Sequence, residues 1–195
     1  MTTTTQKLSF EDYLAYNGGT DTRYELVDGE LVPMSLGTGK HGAIIHFLTR
    51  QFEDIITQIE QPWVALPALV GVRSPRGRRW DTARIPDVTV LSLAQWEAME
   101  NREAVIDFNE PPPLLVVEVV SPSTQTDDYR SKRSEYGLLE IPEYWLVDPL
   151  EAKITICLLD HEFYDLTEFQ GEDVMQSPLF PDLKLTVAQV LAGER

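Results

Sequence analysis

Between Pro113 and Thr124 the chain reads PLLVVEVVSPST, an apolar run with one carboxylate, Glu118, in its middle. Such a run folds as a central strand covered on both faces. Alternation along it sets Leu114, Val116, Glu118 and Val120 on one face and Leu115, Val117 and Val119 on the other. Desolvating an unpaired carboxylate costs several kcal/mol, so such a group is neutralised, paired or bound to a metal. The plainer alternative is that Glu118 lies at the strand's end, where the chain turns at Ser121-Pro122 and the side chain reaches water or an arginine. Either way, the fold must contain a buried strand that tolerates an acid.

At 195 residues, 43% of them hydrophobic, the chain is long enough for one well-formed core and short for two. A single domain over residues 1–195 is expected, with the threonine-rich Met1 to Gln6 flexible. The sequence shows no apolar leader and no run approaching the roughly 20 apolar residues of a membrane helix. Its lone cysteine, Cys157, permits no internal disulfide. These features point to a cytoplasmic protein without membrane contact.

The net charge of −16 works against gripping nucleic acid, which is done mostly by neutralising phosphates with lysine and arginine. The charge is unevenly spread. Arg73 to Arg84 carries five arginines against the single acid Asp81, while Glu140 to Arg195 carries twelve acids against three bases. Most arginine loops are merely solvated, but this one stands immediately before Asp87.

LSFEDYLAYN reads as a short helix with Ser9 as N-cap and Asp12 as an imperfect capping-box partner. RYELVDGELVPM reads as a hairpin turning at Asp28-Gly29. From Gly39 to about Gln61, Ile45, Leu48, Phe52, Ile55 and Ile59 step by three and four, the spacing of an amphipathic helix. Strands follow at WVALPALVGV and PDVTVLSL, then a short helical piece around AQWEAMEN, a stiff triple proline at Pro111 to Pro113, and the Glu118 strand. TDDYRSKRSEYG is expected as a helix and EYWLVD as a strand. KITICLL and EFYDLTEF should form an antiparallel meander, and PDLKLTVAQVL a strand running into a short helix. The order from Gly39, helix, three strands, helix, strand, favours one α/β (α+β) mixed sheet with helices on its faces.

Asp87 stands at the mouth of its strand, after a proline. If that strand pairs with the one bearing Glu118, two carboxylates share one point, and they repel unless a cation joins them; Mg²⁺ typically binds through one or two carboxylates plus waters. Lys132 could project from a helix over the same point and stabilise negative charge. From spacing alone, Asp128 and Lys132 read as an exposed surface pair. His41, on the buried stripe of its helix, reads as a satisfied core residue, unless the helix start brings it to phosphate or water. His46 and His161 have no partners at zinc-ligand spacing. GTGKH at Gly37 to His41 is not a P-loop, because Met34 and His41 stand where glycine and serine or threonine are required. There is no G-x-S-x-G elbow, which leaves a serine hydrolase unsupported.

An acid, a second acid inside a strand and a lysine resemble the PD-(D/E)XK nuclease superfamily, whose core order is the one read above. RYELVDGEL, IPDVTVL, LLVVEVVSPST, the Asp128 to Lys132 to Tyr136 spacing and IPEYWLVDP, in this order, resemble the Uma family of bacterial restriction endonucleases. The resemblance covers most of the chain from Arg23 to Pro149. It implies a restriction-endonuclease-like core, with the N-terminal hairpin and C-terminal meander as additions, and a DNA phosphodiesterase using Mg²⁺ or Mn²⁺. It also implies Asp87 and Glu118 as metal ligands, the Val119 carbonyl as a third, Lys132 as the catalytic lysine and Glu25 as an extra acid near the metal. Val120 stands where the superfamily pattern has its lysine, and Lys132 matches a relocated one. Glu140 stands where such sequences carry glycine, which alters a helix end. Arg84 and His41 are candidates for phosphate or water. DNA binding should be weak and salt-sensitive, and the apolar meander could join two copies in a homodimer. The rival reading is a non-catalytic nucleic-acid- or protein-binding module that retains the fold.

Overall fold

The computed structural model describes residues 7–16, 22–34, 37–76 and 80–193. The segment Met1 to Gln6 and two members of the arginine loop, Arg78 and Arg79, lie outside the described residues.

Helix α1 (Phe10–Leu14) opens on a complete capping box, with Ser9 and Asp12 each accepting from the other's backbone N–H. Strands β1 (Tyr24–Val27) and β2 (Glu30–Pro33) form the expected hairpin. At its turn Asp28 and Gly29 take φ of 50° and 78°, the two left-handed positions a type I′ turn requires. Helix α2 (Gly39–Gln58) is capped by Thr38, whose hydroxyl accepts from the His41 N–H, and it buries Ile44, Leu48, Phe52, Ile55 and Ile56. Its inward face is turned slightly from the predicted one, since Ile45 and Ile59 are only partly buried.

The stretch WVALPALVGV is not one strand. Ala68 adopts φ 44°, which an extended pleat cannot accommodate, and divides it into β3 (Trp63–Pro67) and β4 (Gly71–Arg73). The Ala68 N–H donates to the Asp87 carbonyl, so this break fixes the backbone beside that acid. Two further strands, β5 (Ala83–Arg84) and β7 (Val105–Ile106), have two residues each, too few to show alternation in sequence. Between them lie β6 (Val88–Ser92) and α3 (Leu93–Glu97). After β8 (Leu115–Val119), a π-helical turn, Asp127–Lys132, runs directly into α4 (Arg133–Leu138). The remaining elements are β9 (Glu143–Asp148), β10 (Lys153–Asp160), β11 (Phe163–Gln170) and α5 (Val187–Ala192).

The described strands form two mixed sheets, not the single one expected: β2-β1-β5-β4-β7 and β11-β10-β9-β8-β6-β3. In the larger sheet only β8 and β9 are parallel. The strand expected at PDLKL is reduced to one bridge, Val174 to Thr186, ahead of α5.

Strand β8 is buried along its whole length, and its faces divide as the alternation predicted. Leu115, Val117 and Val119 join the larger core beneath α2, α5 and Phe180. Val116 and Val120 join a second cluster with Tyr136 of α4, Tyr144, Leu146 and Val72. Glu118 shares this second face, under α4. Glu140, beyond α4, takes φ 58°, so a non-glycine residue occupies the left-handed position at that helix end.

Candidate active site

Strands β6 and β8 are antiparallel neighbours with Val88 opposite Val117, and continuing that register by one residue sets Asp87 opposite Glu118. Asp87 Oδ2 accepts the Val119 N–H at 2.7 Å, which anchors the acid to the end of β8. Glu118 is 3% exposed. Its Oε2 accepts from Lys132 Nζ at 2.7 Å and its Oε1 from the Tyr136 hydroxyl at 2.6 Å.

Lys132 and Tyr136 reach Glu118 because Asp128, Lys132 and Tyr136 recur every four residues along the π turn and α4. Asp128 completes the stripe: its Oδ1 lies 3.0 Å from Lys132 Nζ. That oxygen is buried and has no aligned hydrogen bond, so it holds the ammonium by charge. The Tyr144 hydroxyl donates to the Asp128 carbonyl and pins the turn to β9. Asp128 and Lys132 are 1% and 5% exposed, so the pair is internal and not the surface pair that spacing suggested.

Glu25 reaches the neighbourhood from the smaller sheet. Its Oε1 accepts the Ile85 N–H at 3.0 Å and its Oε2 accepts from Arg84 Nη1 at 3.3 Å. Arg84 cannot meet phosphate as expected. It is 1% exposed, and its guanidinium makes a bidentate pair with Glu135 at 2.8 and 3.0 Å. Arg76 joins Glu135 from the protein surface at 3.3 Å. His41 is not a core residue: its Nε2 stands 3.1 Å from the Val119 carbonyl and 3.4 Å from Asp87 Oδ2, and its side chain is 21% exposed.

The electrostatics of the centre are those of too many carboxylates for the cations present. Burial pushes the Glu118 carboxyl up to about 8; Lys132 pulls it down, while Asp128, Asp87 and Glu25 push it further up. Burial likewise raises the Asp128 carboxyl, against the pull of Lys132. Desolvation acts to lower Lys132, but Glu118, Glu25 and Asp128 outweigh it and keep the ammonium charged. The hydrogen bond to Asp87 raises His41, against the opposing effect of burial.

A divalent ion fits this donor set chemically. The available groups are hard oxygens, the excess charge is negative, and the Asp87 side chain is 15% exposed, open toward water. Among the described residues no three His, Cys, Asp or Glu side chains gather as a metal cage. Mg²⁺ does not need one, since it binds through one or two carboxylates and keeps several waters. The contributions that sequence reading missed are Tyr136 as a donor to Glu118, Asp128 as a buried partner of Lys132, and Glu135 as the partner of Arg84. Only the spacing of four from Asp128 to Tyr136 hinted at the first two.

This arrangement belongs to the restriction-endonuclease-like fold. A crystal structure described as a "putative nuclease belonging to DUF820", from Anabaena variabilis ATCC 29413, superposes with a TM-score of 0.75 at 17% identity, covering 95% of this chain and 98% of that one. The chain belongs to the Uma2 family, described as "putative restriction endonuclease", whose pattern matches residues 10–188. Family membership supports a nuclease role. Comparison with curated protein sequences gives no match. Among the described residues no helix is long and apolar enough to cross a membrane.

Proposed function

We propose that the protein is a metal-dependent endonuclease that hydrolyses phosphodiester bonds in DNA. The observation that carries this reading is Glu118, buried in an apolar sheet with Lys132 as its one cationic partner while Asp128, Asp87 and Glu25 add negative charge around it. Mg²⁺ or Mn²⁺ would supply positive charge to balance these acids. Asp87, Glu118 and the Val119 carbonyl would hold it, and when bound it would lower the pKa of water and neutralise phosphate charge.

The chain's own residues supply the rest. Lys132 keeps a full positive charge in a water-poor site, where it stabilises negative charge developing on phosphate more strongly than in bulk water. Tyr136 donates its hydroxyl to Glu118 Oε1. Glu25, steadied by Arg84 and the Ile85 amide, positions a water. His41 stands at the more open side and can donate to water or a phosphate oxygen. Arg76, with its side chain 33% exposed, is the described member of the arginine loop placed to meet flanking phosphate. The reading keeps the protein in the cytoplasm and leaves β11, a sheet edge, as the place where a homodimer would form.

The test is nicking of plasmid and single-stranded DNA with Mg²⁺ or Mn²⁺ by the parent, Asp87→Ala and Lys132→Ala. Cleavage by the parent and at least a hundredfold loss in both folded variants supports the enzyme. Equal cleavage by all three would assign the activity to a contaminant. A parent that cuts nothing but binds DNA or a protein would be the non-catalytic module instead.

A further inference from the structure

The Lys132 ammonium has two buried carboxylate partners, Glu118 Oε2 at 2.7 Å and Asp128 Oδ1 at 3.0 Å, and only the first belongs to the proposed metal centre. We infer that Asp128 is a positioning residue that retains Lys132 at the site when Glu118 turns to a divalent cation. This rests on the nuclease reading above and adds to it a role for a residue outside the ligand set.

If Glu118 were the ammonium's only partner, a cation could bind Glu118 only by stranding a buried positive charge, which is strongly unfavourable. Lysine and metal would then compete for one carboxylate. Asp128 removes the competition. It lies one turn before Lys132 on the same stripe and is 1% exposed. Its main chain is held by the Tyr144 hydroxyl at 3.1 Å and by its own N–H to the Thr124 carbonyl at 2.9 Å. Its Oδ1 makes no aligned hydrogen bond among the described residues, and the Thr124 side chain interacts with the same carboxylate. The next acid along the turn, Asp127, is different. It accepts from Ser131, lies 3.9 Å from Arg76, and has a side chain 46% exposed.

The experiment is calorimetric titration of Mg²⁺, without DNA, into the full-length parent, Asp128→Asn and Asp127→Asn, with thermal unfolding of each in the absence of metal. The expected result is a Mg²⁺ affinity roughly 10-fold or more lower in Asp128→Asn, as for loss of a group supporting a metal ligand, and within about twofold of the parent in Asp127→Asn. Equal affinity in Asp128→Asn and parent, or an equal loss in both variants, would overturn the inference and leave the metal site standing. A parent that takes up no Mg²⁺ would remove the metal site itself and this inference with it. Should Asp128→Asn not fold, a crystal of the parent grown with Mn²⁺ decides. Lys132 Nζ should stay near its present 3.0 Å from Asp128 Oδ1 while moving away from Glu118 Oε2; departure from Asp128 would refute the idea.

Discussion

At Glu118 the folded chain holds a proton far longer than a free carboxylate does, because burial and three neighbouring acids outweigh the pull of Lys132. With the group raised from 4.5 to about 8, its contribution to stability is complete below about pH 4.5 and is lost as the pH rises through 8. Metal-free protein should therefore lose a few kcal/mol between pH 5 and pH 8, read by urea unfolding, and Glu118→Gln should flatten that slope. An unchanged slope in the variant would assign the titration elsewhere. Arg84 supports a second prediction. Arg84→Met leaves Glu135 buried without its bidentate partner and should cost about 3–5 kcal/mol, whereas Arg84→Met with Glu135→Met should recover much of that loss. Equal destabilisation by the single and double variants would show that the pair does not act as a unit. Glu118 stood out in the sequence because an acid inside an apolar run is conspicuous, whereas Asp87, at a strand's mouth, gained meaning only beside it. Arg84 could not, because only the tertiary partner Glu135 distinguishes a buried guanidinium from the solvated arginines of the same loop.

Among the elements, the π turn Asp127–Lys132 does the most to form the site. Such turns are uncommon and recur at functional positions. Here the turn lets Asp128 face Lys132 while Lys132 and Tyr136 both face Glu118. Deleting the exposed Arg130 should convert the turn to regular α-helix and leave Asp128 three residues before Lys132, displacing its carboxylate from the present 3.0 Å contact with the ammonium. Cleavage should then fall at least tenfold with little change in far-UV circular dichroism; full activity in the deletion would mean that the turn has no functional part. The sequence could not reveal this turn, since a spacing of four reads the same in a π turn as in an α-helix. It likewise concealed the break at Ala68, where no glycine announces the left-handed residue that sends β3 and β4 to different sheets. The Asp28-Gly29 turn and the Ser9 cap were apparent because their chemistry is local.

For the whole molecule, a net charge of −16 leaves few cations for phosphate. If two or three arginines make the contacts, the slope of log affinity against log salt should be about −2 to −3, and raising salt from about 50 to 200 mM should weaken binding about fifteen- to sixtyfold. Fluorescence anisotropy with a labelled oligonucleotide measures this, and a slope steeper than about −6 would place a large basic surface where this structure has none among its described residues. The division into two sheets was hidden for a related reason: β5 and β7 are held by pairing with distant segments, not by a pattern of their own. The proposed nuclease needs the buried acids around Glu118 to form a cation site. The most direct measurement of that site is calorimetric titration of Mn²⁺ at pH 7 into the parent and Glu118→Gln in two buffers of different ionisation enthalpy. The parent should take up Mn²⁺ with release of a proton from Glu118, and the variant should take up little or none. Absence of binding to the parent, or equally tight binding without proton release in both, would contradict the proposal.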